Sequence, residues 1–305
     1  MSVEKDFNEK YEQIHSGIIG GAFRLADIGP EDILYHYTRI QGFMGILNQQ
    51  EFWATDYRYL NDEDEFVYVH NILVKVIKEE FGIPCRDERN TVFCSKLLEL
   101  TLGEMLNDYY VVSFSCHSDN LTLWAEFASP GCNIGFKPFS IFERWPLYFG
   151  KVIYDEEQQK AVVRNAIRQV LQHFRKDVCC GLDDSLSVYL DGMDYNQQAA
   201  MAQAAGELVM YYGIAMKSKL FCAEDEYRAV FTSENTEKKY RMRGDMLVPY
   251  IEVPVRWGID GPDMVSVTLA PLSKGNLSHL AVSDFLGNKG CHNVRLKDSE
   301  LNMRF

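Results

Sequence analysis

Two long stretches with apolar residues spaced three and four apart, Glu156 to about Cys180 and Asn196 to about Lys219, stand between segments that read as strands. This placement constrains the fold most. Before the helical block, strands are expected at Ile33–Tyr37, Phe52–Thr55, Tyr109–Ser115, Cys132–Phe136 and Leu147–Tyr154. After it they are expected at Tyr227–Phe231, Val248–Val255, Met264–Leu269 and around Val294–Leu296. Strands in neighbouring groups with clustered helices give an α+β class rather than a doubly wound sheet, and no G-x-G-x-x-G or P-loop sequence is present.

Shorter helices are expected at Ile40–Gln50, Asp62–Phe81 with Asn61 or Asp62 as N-cap, Asp87–Met105 and Leu277–Leu286. Residues 1–30 read as an N-terminal helical extension whose helix ends by about Gly21. Without repeats or a Pro/Ser-rich linker, residues 31–305 read as a single domain with a helical insertion at about 156–219.

The 305 residues carry a formal charge of −13, which argues against a dedicated duplex-binding protein, although Lys238–Arg243 forms a local basic cluster. The N-terminus lacks a basic segment followed by an apolar core, and no run of 18 apolar residues occurs, so a soluble, cytoplasmic protein without membrane contact is expected. The eight cysteines form no C-x-x-C pair, and neither a metal site nor a disulfide scaffold is expected from their spacing. Cys116 precedes His117, but neighbours on a strand point to opposite faces, so the histidine is not expected to serve that thiol as a base.

Four spots concentrate polar groups. Tyr35-His36-Tyr37-Thr38 puts a histidine on the first strand. In Thr55 to Glu65, helix capping accounts for Asn61 to Glu65 but leaves Arg58, whose guanidinium suits a phosphate or an internal carboxylate. Ser113-Phe114-Ser115 places two hydroxyls on one strand face, with Asp119 and Trp124 following; Trp124 is either a stacking platform or core. Last, Glu224, Glu226 and Arg228 alternate onto one face, either as a salt-bridged ladder or as a poised carboxylate.

In this order the four spots resemble a bacterial family of unassigned function marked by Y-H-Y-T, L-N-D, S-F-S, a following Trp and E-x-E-x-R, over about Leu34 to Phe305. That family is distantly similar to the ADP-ribosyltransferase superfamily. The resemblance implies split sheets with a cleft that binds NAD as substrate, His36 bonding a ribose hydroxyl and the backbone at Tyr37 meeting the nicotinamide amide. Thr38, Ser113, Ser115 and Trp124 would line the site, Glu226 would take the catalytic place, and Glu224 would position the acceptor. Arg58 is our own candidate for the pyrophosphate. A carboxylate on the 2′-hydroxyl stabilises the oxocarbenium-like state in which the nicotinamide bond breaks.

The first expectation is therefore ADP-ribosyl transfer from NAD to a protein or nucleic-acid acceptor, or NAD hydrolysis, in a toxin or phage-defence effector with an antitoxin or regulatory partner. An alternative is a catalytically silent nucleotide- or partner-binding module of the same fold. A second is a metal-dependent nuclease built from Asp56, Asp62, Glu65, Glu224 and Glu226.

Overall fold

The computed structural model describes residues 29, 31–61, 65–82, 90–102, 109–144, 146–178, 185–233, 236–258 and 261–302. The expected N-terminal helix and the cap at Asp62 lie outside them. In chain order the elements are β1 (Leu34–Arg39), α1 (Ile40–Gln49), β2 (Glu51–Asp56), α2 (Glu65–Phe81), α3 (Thr91–Leu102), β3 (Tyr109–Ser115), α4 (Leu121–Phe127), β4 (Gly131–Phe136) and β5 (Tyr148–Lys151). They continue as α5 (Glu156–Phe174), α6 (Tyr195–Gly213), β6 (Glu226–Thr232), β7 (Lys239–Arg243), β8 (Met246–Pro254), the two-residue strands β9 (Trp257–Gly258) and β10 (Gly261–Pro262), β11 (Met264–Leu269), α7 (Asn276–Asn288) and β12 (Arg295–Asp298).

These elements fall into two compact units, each assembled from separated segments. The helical unit joins residues 61–107 to 153–219, so the added helices comprise α2 and α3 as well as the expected insertion. Within it α6 packs on α3 and α5, and α2 packs on α5. Local sequence sets the helix starts. Asp155 accepts from the backbone N–H of Gln158, and Asp194 with Gln197 forms a reciprocal capping box, which satisfies amides that the first turn leaves without helical partners.

The second unit holds a ten-stranded mixed sheet, consistent with an α+β class. Its main path runs β12-β11-β4-β1-β3-β2-β8-β7, with β6 against β3 and β5 against β6. Among its described strands only the pair β11 and β12 is parallel, and helix α7 makes the crossover that a parallel pair requires. Strand β3 is the branch point. One edge pairs with β6 along its full length, Tyr109 with Thr232 through Ser115 with Glu226. The other edge meets β1 at one residue pair, Tyr35 with Ser115, and β2 at Thr55 with Val111 and Asp56 with Tyr110.

The inner face is filled by Phe52, Phe114, Phe136, Phe142 and Phe149, whose rings meet mostly edge to face at 5.6–6.5 Å. Aromatic pairs favour this geometry because ring edges are positive and ring faces negative. Residues alternate along the strands, so Tyr35, Tyr37 and Trp124 build a smaller cluster apart from this core. No helix among the described residues is long and apolar enough to cross a membrane.

Candidate functional site

His36 stands where β1 and β3 part. Its ring lies 5.1 Å from Phe52 and 5.7 Å from Phe114, on the inner face. Its Nδ1 is 2.9 Å from the Ser113 carbonyl; a carbonyl can only accept, so Nδ1 carries the hydrogen and Nε2 is left as an acceptor. Burial lowers the imidazole to about 4, against a smaller opposing effect of the Ser113 bond, so the ring is neutral near pH 7.

Strand register places Glu226 on the other face. Tyr35, Ser115 and Glu226 are cross-strand partners and share a side, while Phe114 and Tyr227 occupy the inner core where the His36 ring lies. The expected meeting of His36 with Glu226 in one cleft is therefore not what the register builds. Glu226 and Arg228, 4% and 0% exposed, form a two-pronged pair: Nε donates to Oε1 at 3.0 Å and Nη2 to Oε2 at 3.0 Å. Arg228 also lies over the Tyr57 ring at 5.7 Å. Glu224 departs from the alternation expected of it. It ends a 3-10 turn before the strand, and Asp225 follows with φ 43°, so the extended register begins only at Glu226.

The remaining expected site residues serve nearby structure. Tyr37 donates from its hydroxyl to the His117 carbonyl and accepts from the Asn120 N–H, tying down the loop after β3; burial raises its phenol above the ordinary range. The Thr38 hydroxyl stands against Gly42 of α1. The Ser115 hydroxyl donates to the Glu224 carbonyl and accepts from the His117 N–H. Ser113 supplies the carbonyl that orients His36. The Arg58 guanidinium lies on Asp56 through Nε at 3.0 Å and Nη2 at 2.7 Å, a bond that raises its pKa. Trp124 is 0% exposed, with Nε1 donating to Asp119 at 2.6 Å, which corrects the stacking-platform reading: a ring closed on both faces offers none to a base.

Of the carboxylates expected of a metal-dependent nuclease, two are described in arginine pairs. Asp56 holds Arg58, Glu226 holds Arg228, and the side chains of Asp62 and Glu65 lie outside the described residues. Strand β7 gathers the basic cluster. Lys239 pairs with Glu252, while Arg241 donates to the Thr55 hydroxyl at 2.6 Å and lies over the Trp53 and Tyr250 rings.

One constellation was hidden by strand parity. Strand β3 stops at Ser115, so Cys116 and His117 lie in the bend that follows and both turn to Asp225. Cys116 Sγ is 2.6 Å and His117 Nε2 3.3 Å from Asp225 Oδ2, and Lys151 Nζ is 2.7 Å from Oδ1. Burial would raise the Asp225 carboxyl, but Cys116, Lys151 and His117 outweigh it and hold it below its ordinary value. Burial and the adjacent carboxylate push the Cys116 thiol up to about 11. Cys116 also lines a cavity of about 420 Å³ with Glu31, Asp32, Tyr35 and Tyr227. The signal in the sequence was Cys-His at a strand end facing the central Asp of Glu-Asp-Glu.

Comparison of the chain with protein-family models, curated proteins and solved structures returns no match.

Proposed function

We propose that the chain is a nucleotide-binding module distantly akin to ADP-ribosyltransferases, which holds NAD or a related ribonucleotide without cleaving it. The observation that carries this reading is His36 at the parting of β1 and β3, neutral and with Nε2 as an acceptor. A ribose hydroxyl donates to such an atom. Cleavage would require a carboxylate beside the ribose, and Glu226 is engaged by Arg228 on the opposite face of the sheet from His36.

Calorimetric titration with NAD, and separately with ADP-ribose, tests the reading. Wild type binds one equivalent. His36→Phe keeps the ring packing but lacks the acceptor, and weakens binding about tenfold, the value of one net hydrogen bond. Equal affinity in the two proteins overturns the role of His36.

A further inference from the structure

We propose that Cys116, His117 and Asp225 form a binding site for a zinc-class divalent metal ion. This inference stands independently of the nucleotide reading, because these residues lie at the end of β3 and the start of β6 and include no part of the His36 site. Among the described residues they are the one group of three metal-capable side chains whose donor atoms all lie within 4.8 Å of one another.

Chemistry selects the ion. One thiol, one imidazole and one carboxylate form the mixed sulfur, nitrogen and oxygen set that suits Zn²⁺, whereas Mg²⁺ and Ca²⁺ prefer oxygen alone. Three protein ligands leave the fourth tetrahedral position to water or a ligand. Cys116 also borders a cavity shared with Glu31 and Asp32, whose acidic character favours a cation.

The backbone gathers the donors. Tyr37 fixes the His117 carbonyl, and the turn from the Cys222 carbonyl to the Asp225 N–H brings the aspartate across at φ 43°. A salt-bridged cluster alone would account for Lys151 on Asp225. The thiol and the imidazole both reach the other carboxylate oxygen, Oδ2, so three different donor types converge on one point. On binding, the Cys116 S–H bond breaks, sulfur keeps the electron pair as its bond to the metal, and the proton leaves to solvent. Lys151 stays on Oδ1 and orients the carboxylate from behind.

Co²⁺ is the probe, because a cobalt–thiolate bond gives a charge-transfer absorption that oxygen and nitrogen ligands do not. The full chain is expected to take up one equivalent with that absorption, and Zn²⁺ is expected to displace it. The absorption is lost in Cys116→Ser and kept in Cys222→Ser, which removes another exposed thiol. Asp225→Asn weakens Co²⁺ binding by at least about tenfold, since even outer-shell changes at metal sites cost that much.

No charge-transfer absorption in the wild type, or one that survives Cys116→Ser, overturns the proposal. Should Cys116→Ser fail to fold, alkylation of the wild type read residue by residue by mass spectrometry decides the matter. Slower modification of Cys116 in Zn²⁺, with Cys222 unchanged, supports the site. Equal rates with and without Zn²⁺ overturn it.

Discussion

At the scale of single residues, His36 sets a pH dependence whose sign follows from its surroundings. The unfolded chain protonates it near 6.5 and the folded chain near 4, so between those values the unfolded state binds the extra proton and stability falls as pH drops. The full shift corresponds to a loss of up to about 3 kcal/mol. Urea denaturation of wild type and His36→Phe at about pH 7 and about pH 4.5 checks this, the variant cancelling the acid dependence of other groups. Wild type is expected to lose more stability than the variant on acidification; parallel losses would contradict the neutral ring. The Glu226–Arg228 pair makes a second prediction. Arg228→Met removes the guanidinium from a buried carboxylate and should cost about 3–5 kcal/mol, while Glu226→Met/Arg228→Met recovers part of it because no charge is then stranded. A single variant within about 1 kcal/mol of wild type would contradict that account.

At the scale of elements, two glycines separate packing from flexibility. A Cβ on Gly131 would come within 2.2 Å of the Thr38 carbonyl oxygen and 3.0 Å of the Ala128 backbone, where β4 lies against β1, and backbone cannot rotate away. Gly45 lies inside α1 with nothing within 4 Å of an added Cβ. Thermal unfolding of Gly131→Ala should show a loss of at least about 1 kcal/mol, and Gly45→Ala a gain of about 0.5–1 kcal/mol. Reversed signs would contradict the strand packing.

Legibility varied at this scale for physical reasons. Strand β3 was readable because it carries β-branched and aromatic residues, and β8 because an apolar run of its length suits a buried strand. Strand β7, Lys239–Arg243, shows in sequence only as a charge cluster. An edge strand need not bury a face; Lys239 lies on Glu252, and Arg241 on Thr55 and aromatic rings. The short helix α4 escaped because seven residues give periodicity little to act on, even with Asn120 capping the Thr122 and Leu123 amides. The site divided the same way. Alternation correctly put Glu226 and Arg228 on one face, but it failed at Asp225, where positive φ breaks the strand, and at Cys116, where the strand has ended. Which face His36 takes relative to Glu226 depends on the Tyr35–Ser115 and Ser115–Glu226 pairings, which no local pattern contains.

At the scale of the whole molecule, two compact units interleave along the chain: the sheet unit takes residues 23–60, 108–152 and 220–305 and holds His36 as well as Cys116, His117 and Asp225. The formal charge of −13 sets a background that disfavours polyanions, which leaves a small, partly neutral ligand as the better match to an imidazole acceptor than a duplex. The central claim is that this sheet unit holds NAD and leaves it intact. Its most direct test incubates the purified protein with NAD, measures free nicotinamide by chromatography and bound NAD by calorimetry, and sets wild type beside Glu226→Gln. Bound NAD with no nicotinamide released by either protein is the predicted result; nicotinamide released by wild type and abolished in Glu226→Gln would contradict it and make Glu226 a catalytic residue.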